Sequence, residues 1–328
     1  MPIESPQKIK LVKLMEILHQ GTDENHAMTT NEICSRLETI GVPCDRRTLS
    51  KDIGVLNANG YEIMSRMVGH EKAYYIDDRS FSVPELKILM DAVQAASFIT
   101  RKKTEELTQK IAALASDKCA ESLWESMVCF NARKHSNEHI YYSVDMLEEA
   151  LREQRQVSFL YFDLDEEKRK IYRKDKRRYT VDPVALVYNE DNYYLMCYAP
   201  KNGKIYNYRV DRMEAVQMED NGVDEKAVIH ANGVADYTEQ AFKMYNGSVE
   251  SVTLEFGREI IGAVYDKFGE DTQIVSNGDG RYTATVAVQI SPTFWGWIFQ
   301  FSGRMKIVAP AEIREEMKAQ IELLFQSV

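Results

Sequence analysis

The sequence predicts a multidomain protein of the α+β class, and three observations support this fold class. The chain has 328 residues, more than the roughly 250 residues beyond which a single core rarely grows. Apolar residues recur at helical spacing along much of residues 1–116. Short runs of β-branched and aromatic residues, separated by tight turns, dominate residues 155–210. Helices and strands therefore occupy different stretches of the chain, as in separate domains.

Composition excludes several classes of protein. The hydrophobic fraction is 44% and the charged fraction is 28%, so the chain is neither mainly disordered nor collagen-like. No stretch approaches the roughly 18 uninterrupted apolar residues of a membrane helix, and the N-terminus lacks the apolar core of a secretory signal. We therefore expect a cytoplasmic protein that does not bind membranes.

No catalytic or metal-binding motif stands out. The five cysteines lie far apart, without a C-x-x-C pair or a Cys/His cluster of zinc spacing, so we expect reduced thiols, no metal and no cofactor. Phosphate loops, G-x-G-x-x-G and G-x-S-x-G are absent. The acidic turn Asp163–Glu167 would suit Mg²⁺ in a nuclease, but its place between a strand and a lysine run favours a solvated turn. We expect no enzymatic activity.

The first eighty residues predict three helices. Leu11, Leu14, Met15 and Leu18 recur at i, i+3, i+4 and i+7, which predicts an amphipathic first helix. The tetrapeptide T-T-N-E at 29–32 is a capping box that begins a second, short helix.

The third helix presents a polar face that would suit DNA. Asp45 is its expected N-cap. Its buried face consists of Leu49, Ile53 and Leu56. The opposite face carries cations and small polar side chains in the first two turns, where a recognition helix reaches base edges and phosphates. Two β-like stretches follow, Tyr61–Met64 and Ala73–Ile76, and predict a hairpin.

This order of elements resembles the winged helix-turn-helix of bacterial regulators. The residues that carry the resemblance are TTNEICSRL and then DRRTLSKDIGVLNANGYEI. The resemblance implies that residues 1–80 bind double-stranded DNA. The expected contacts are Thr30, Arg46, Arg47, Thr48, Ser50 and Lys51. The pattern also fits a three-helix bundle with an ordinary solvated face, and the 10 Lys and Arg against 12 Asp and Glu of this segment are a poor balance for DNA binding.

Residues 81–137 predict a helical connector, with helix throughout residues 83–116. Its apolar residues at helical spacing are Leu86, Leu89, Met90, Val93, Leu107, Ile111 and Leu114. This stripe fits core packing as well as a dimer surface.

Residues 138–218 predict one helix followed by a small β-barrel. Met146–Arg155 has a helical pattern, and Val157–Phe162 has the composition of a strand. Further strands are predicted at Tyr179–Leu186, Asn192–Tyr198 and Lys204–Val210. Short strands joined by tight turns are typical of a small barrel.

Residues 179–213 resemble a WYL domain. Their sequence is YTVDPVALVYNEDNYYLMCYAPKNGKIYNYRVDRM, in which Tyr193-Tyr194-Leu195 replaces the name-giving Trp-Tyr-Leu. Tyr208–Met213 matches the family's F/Y-R-x-D-R-I/M ending. Residues 249–328 resemble the WCX extension that often follows such domains, with F-W-G-W at 294–297 and Pro310 before a final helix. Residues 219–248 are predicted to form a linker that contains a helix.

The resemblance implies a ligand-responsive bacterial transcriptional regulator. It implies an SH3/Sm-like barrel that binds a nucleotide or nucleic-acid ligand, and an α/β extension through which the protein forms a homodimer. The expected ligand-binding residues are Tyr161, Tyr179, Tyr194, Arg209 and Arg212. Independently of the resemblance, guanidinium groups offer planar donors to phosphate, and tyrosine rings stack on bases.

Strand geometry limits this site. On a regular strand Arg209 and Asp211 face one side and Arg212 faces the other, so both arginines line one pocket only if the strand ends or bends near Asp211. Asp211 would alternatively form a structural ion pair with one of them. The run at 168–178, with eight basic residues and one Asp, is either a phosphate-binding hairpin or a solvated loop.

A second hypothesis competes with the DNA-binding regulator. In it the chain is an accessory protein that binds RNA or a protein effector through its WYL domain. Its winged helix would then be vestigial, in line with the net charge of −2 (10 minus 12) over residues 1–80.

Overall fold

The computed structural model describes residues 6–127, 134, 139–189, 191–231 and 249–326, with side chains from residue 9 onward. The chain mixes helices and sheets and divides into two compact units, Met1–Ser136 and Asn137–Val328. Within the described residues, no helix combines the length and the apolar character that a membrane span requires.

The first unit begins with three helices and a small sheet. The elements are α1 (Pro6–Gly21), β1 (Met28–Thr29), α2 (Thr30–Thr39), α3 (Arg46–Ala58), β2 (Ile63–Val68) and β3 (Glu71–Ile76). The strands are antiparallel in the order β1-β3-β2. The predicted apolar faces are confirmed, since Leu14, Leu18, Leu49, Ile53 and Leu56 are all buried in one core.

Both predicted N-caps are confirmed. The backbone N–H and the hydroxyl of Thr29 donate to Glu32 Oε2 at 2.7 and 2.8 Å. Asp45 Oδ1 accepts hydrogen bonds from the backbone N–H groups of Arg47 and Thr48 at 2.9 and 2.8 Å. These bonds satisfy backbone donors that the first turn of a helix leaves without a partner. The hairpin is longer than predicted, since its strands pair from Ile63↔Ile76 to Val68↔Glu71.

The connector is broken into three helices, so the prediction of continuous helix over residues 83–116 is wrong. They are α4 (Val83–Ala95), α5 (Arg101–Ala112) and α6 (Asp117–Glu125). The hydroxyls of Thr100 and Ser116 accept hydrogen bonds from the N–H groups of Lys103 and Cys119 at 3.3 and 3.2 Å. Each bond caps the start of a new helix.

The second unit starts with a helix and a curled half-barrel sheet. Its elements are α7 (Ile140–Arg152), β4 (Arg155–Leu164), β5 (Lys170–Tyr172), β6 (Tyr179–Asn189), β7 (Asn192–Ala199), β8 (Lys204–Arg209), β9 (Met213–Gly222) and α8 (Glu225–Ala231). The sheet order is β5-β4-β6-β7-β8, and β9 pairs with β4 as well. Because β4 pairs with three strands, the sheet curls around it.

The C-terminal part is a four-stranded sheet with helices. Its elements are β10 (Val249–Gly257), α9 (Ile261–Phe268), β11 (Ile274–Ser276), β12 (Arg281–Gln289), α10 (Pro292–Phe299), β13 (Met305–Ala309) and α11 (Ala311–Gln326). The strand order is β11-β12-β10-β13, and Phe256, Phe294 and Trp295 lie in its core. The predicted final helix after Pro310 is confirmed. Of the predicted linker, residues 225–231 form α8, and residues 232–248 lie outside the described residues.

Asp23 joins the loop after α1 to the connector. Asp23 is only 8% exposed. Its carboxylate accepts hydrogen bonds from Ser116 Oγ at 2.5 Å and from Cys119 Sγ at 3.4 Å. His26 Nδ1 lies 2.8 Å from the same carboxylate. Burial raises the pKa of Asp23, but hydrogen bonds from Ser116, His26, the Asn25 N–H and Cys119 outweigh it and bring the pKa to about 2.

We expect Asp23→Asn to lower the free energy of unfolding of the first unit by about 1 to 3 kcal/mol near neutral pH, because it removes charged hydrogen bonds. The folded pKa lies below the ordinary value of 3.8, so this stabilisation is present above that value and is lost as pH falls towards 2. Urea unfolding with hydrogen exchange of α6 measures the effect. Asp77→Asn, in an exposed loop, is the control. A gap between Asp23→Asn and the parent chain that stays constant down to about pH 2 would contradict the assignment.

Candidate nucleic-acid interface and ligand site

The start of α3 carries the exposed cations that the sequence predicts. The side chains of Arg47, Ser50 and Lys51 are exposed and form no hydrogen bond or ion pair with any other described residue. Behind this face, Lys10 of α1 forms an ion pair with Asp52 at 2.7 Å, with side chains 9% and 17% exposed. This nearly buried pair fixes α3 against α1, so the polar face points outward.

Arg46 is held by the neighbouring elements. Its Nε donates to Asn31 Oδ1 at 2.7 Å, and its guanidinium lies 3.7 Å from Glu71 Oε1. Asn31 also donates to Glu71, so the arginine is linked to both α2 and β3. The side chain remains 68% exposed and can still reach a phosphate. Sequence reasoning missed Asn31 and Glu71, because the contact joins positions far apart in the chain.

The two threonines that the sequence predicts to contact DNA, Thr30 and Thr48, donate their hydroxyl hydrogen bonds to acceptors within the protein. Thr30 Oγ1 donates to the Lys72 carbonyl at 2.8 Å, and Thr48 Oγ1 donates to Asp45 Oδ2 at 2.8 Å. Both residues are half-buried. The donated hydrogen bonds stabilise the starts of α2 and α3. The hydroxyl oxygens can still accept a hydrogen bond from a ligand.

Four aromatic rings pack together inside the curled sheet. The ring cluster consists of Phe159, Tyr161, Tyr179 and Tyr208, contributed by β4, β6 and β8. The rings of Phe159 and Tyr179 are parallel with centroids 5.7 Å apart, and Tyr208 meets Tyr161 and Tyr179 edge-on at 5.3 and 5.6 Å. Burial raises the pKa of Tyr161 and of Tyr208, so both hydroxyls stay neutral at physiological pH.

Strand β8 ends where two arginines can meet. A 3₁₀ turn, Val210–Arg212, follows directly after Arg209 and redirects the chain. Arg209 Nε and Nη2 donate to the two oxygens of Asp211, both at 2.9 Å, while Arg212 Nε lies 3.9 Å from the same carboxylate. The hydrogen bond to Asp211 raises the pKa of Arg209. Asp211 thus brings together two side chains that a regular strand would point to opposite faces.

A second carboxylate extends this arrangement. Asp163 lies 3.4 Å from Arg212 Nη1 and accepts from Arg173 Nε and Nη2 at 2.7 and 3.1 Å. The hydrogen bond from Arg173 lowers the pKa of Asp163. We call these five residues (Arg173, Asp163, Arg212, Asp211 and Arg209) the guanidinium–carboxylate network. Its three cations and two anions leave one net positive charge, which favours an anionic ligand.

The network and the ring cluster touch each other. The backbone N–H of Arg209 donates to Tyr161 Oη at 3.2 Å, and Arg209 Nη2 donates to Asn192 Oδ1 at 2.7 Å. The structure therefore brings Tyr161, Tyr179, Arg209 and Arg212 into one region, as the sequence predicts. Guanidinium donors suit a phosphate and aromatic rings suit a base. Tyr161 is only 8% exposed, and one face of Tyr179 is stacked on Phe159, so the other face of Tyr179 is the ring surface at this site.

Tyr194 does not join the ring cluster. The strand register places it opposite Arg209, but its ring is buried with Val184, Met196, Tyr198 and Ala227. Sequence reasoning did not place Arg173, Tyr208 or Asn192 in the site, although Tyr208 and Asn192 stand inside the quoted motif. It did expect the acidic turn 163–167 to balance the basic run, and the Arg173–Asp163 pair agrees with that expectation.

The basic run at 168–178 is largely engaged in internal contacts. Arg169 pairs with Asp165 and Glu167, and Lys170 pairs with Glu214. In the part of the chain that the structure describes, no group of three or more His, Cys, Asp or Glu residues is arranged to hold a metal. Arg169 and Lys170 therefore stabilise the segment 168–178 itself. The arginines of the guanidinium–carboxylate network are the cations of the candidate site.

Family models match two segments of the second unit. A WYL domain model matches residues 143–218, which contain the ring cluster and the network, and a WCX domain model matches residues 248–324. The chain contains a WYL domain followed by a WCX domain. In this WYL domain the ring cluster comes from the curled sheet, and the network lies at the end of β8.

Two solved structures are similar to this chain. One is the proteasome accessory factor B/C (PafBC) of Arthrobacter aurescens, at 19% identity and a TM-score of 0.29, over 98% of this chain and 48% of that one. The other is described as a CRISPR Cas-related protein, at 12% identity and a TM-score of 0.38, over 89% and 76%. The chain thus spans about half the length of the PafBC chain. A comparison with curated proteins found no match.

We expect Tyr161→Phe to lower the free energy of unfolding of the WYL domain by about 1 to 2 kcal/mol, since the Arg209 N–H loses its acceptor. Tyr179→Phe is the matched control, because the Tyr179 hydroxyl forms no hydrogen bond with any described residue. Its expected change is below about 0.5 kcal/mol. Chemical denaturation of both variants measures the difference, and equal losses would refute the role of the Tyr161 hydroxyl.

Proposed function

We propose that the chain is a ligand-responsive transcriptional regulator of the bacterial type. Its winged helix-turn-helix binds double-stranded DNA, and its WYL domain binds a nucleotide or nucleic-acid ligand. One observation carries the proposal: the ring cluster and a network with one net positive charge lie side by side in the WYL domain. Rings and guanidinium groups in contact are the pair of features that base and phosphate together require.

The start of α3 supports the DNA-binding part of the proposal. Arg47 and Lys51 are exposed one turn apart, with Ser50 beside them, and the β2–β3 hairpin follows as a wing. The N-terminal turns of a recognition helix reach base edges, and its cations contact phosphates. A homodimer would match a two-fold operator, and we include it in the proposal. The proposal assigns the chain no catalytic role and no cofactor.

The accessory-protein hypothesis has one observation in its favour. Residues 1–80 carry a net charge of −2, from 10 basic and 12 acidic residues. Under that hypothesis the chain binds single-stranded RNA but not the DNA upstream of its own gene. Gel shifts with both nucleic acids separate the two functions, because only the regulator retards the duplex.

We expect the double variant Arg47→Ala/Lys51→Ala to bind upstream DNA at least about tenfold more weakly, with a salt slope smaller by about two. The reason is the loss of two phosphate-directed cations from an exposed face. Lys110→Ala/Lys118→Ala removes the same charge from exposed connector positions and serves as the control. Fluorescence anisotropy over a salt series gives both quantities. If the two double variants bind upstream DNA with the same affinity and the same salt slope, α3 is not part of the DNA-binding interface.

We expect Arg212→Gln to weaken binding of a fluorescein-labelled hexaribonucleotide by about tenfold, because a bidentate donor to phosphate is lost. Arg169→Gln is the matched control, since this arginine is 72% exposed and pairs only within its own turn. Unchanged affinity in Arg212→Gln would place the ligand elsewhere.

A further inference from the structure

A four-residue turn lies over the rings of the candidate ligand site. We call this turn, Arg173–Lys176, the cover. Lys174 Nζ is 3.7 Å from the ring centroid of Tyr179, and the guanidinium carbon of Arg173 is 5.3 Å from the ring centroid of Tyr161. Tyr179 is the ring-cluster tyrosine to which base stacking is assigned above. A stacked base and a cation require the same ring face at a similar distance.

The cover has a backbone conformation that its residues disfavour. Lys174, Asp175 and Lys176 have φ values of 51°, 50° and 62°, in the left-handed region that residues with a Cβ rarely adopt in succession. Contacts of the side chains must offset this strain. They are the Arg173–Asp163 ion pair and the two cation–ring contacts. A segment held in a strained conformation by a few exposed contacts opens more easily than the sheet beside it.

Both ends of the cover are anchored. Before it, Lys170–Tyr172 forms strand β5 and pairs with β4. After it, Arg178 donates to the hydroxyl and carbonyl oxygens of Ser158 and to the carbonyl of Ala215. An opening motion is therefore confined to the few residues between these anchors, and the sheet that carries the rings need not move.

We propose that the cover is an autoinhibitory gate, in which Lys174 competes with the ligand for the ring face of Tyr179. The ligand binds only after Lys174 has left the face of Tyr179. This inference rests on the proposed ligand function, and it adds that the unliganded WYL domain holds its own cations in place of the ligand.

Lys174→Ala tests the gate in the full chain, with Lys176→Ala as the matched control. Both variants remove one charge from the same left-handed turn, but Lys176 Nζ lies 5.1 Å from the ring centroid of Tyr172, outside the ring cluster. Two readouts are measured. Nitration of Tyr179 by tetranitromethane, followed by peptide mapping, reports exposure of the ring without a ligand. Anisotropy of the fluorescein-labelled hexaribonucleotide reports affinity.

We expect Lys174→Ala to raise the nitration rate of Tyr179 and to tighten binding of the hexaribonucleotide by about fivefold, while Lys176→Ala changes neither. Unchanged nitration of Tyr179 would refute the cover. Faster nitration with weaker binding would make Lys174 a ligand contact and overturn the competition. Faster nitration with no binding by any of the proteins would leave the cover in place and refute the ligand function on which the gate depends.

Discussion

The carboxylate of Asp211 is the interaction on which the candidate ligand site depends. It is 8% exposed and accepts both donors of Arg209 while Arg212 approaches it from the following turn. An exposed ion pair contributes about 0 to 1 kcal/mol, whereas removing one partner of a buried pair costs about 3 to 5 kcal/mol. Asp163 is 44% exposed, so its ion pairs with Arg173 and Arg212 are closer to exposed pairs than to buried ones. The two carboxylates therefore differ in role: Asp211 fixes the site, and Asp163 holds a contact that can open.

Local signals in the sequence predict much of the first unit. The capping box at Thr29, the N-cap at Asp45 and the apolar faces of α1 and α3 depend on residues two to seven positions apart, and the structure confirms them. The breaks in the connector escape prediction, because the predicted helix extends across residues 94–106, where the apolar period lapses, and up to the cap residue Ser116. Strand alternation alone would separate Arg209 from Arg212, and the turn after Arg209 reverses that expectation.

Long-range contacts account for what the sequence could not predict in the candidate sites. Arg46 meets Asn31 and Glu71, 15 positions away in the first case, and Arg173 meets Asp163 across a hairpin. Tyr194 stands in the name-giving triplet, yet its ring lies in the core, because successive side chains of β7 alternate between the two faces of the sheet. Membership in a motif therefore predicts the neighbourhood of a residue better than the direction of its side chain.

The proposed regulator uses cations in two different ways. Arg47 and Lys51 are exposed, so under the proposal their attraction to DNA would be screened by salt. The arginines of the network are already paired with carboxylates, so under the proposal they would select a ligand by the geometry of their donors. Coupling between the two sites is the central claim, and a reciprocal titration tests it most directly. The account predicts that saturating hexaribonucleotide changes the dissociation constant for upstream DNA, and that DNA changes the constant for the hexaribonucleotide by the same factor. Binding of both nucleic acids with neither constant altered would contradict it.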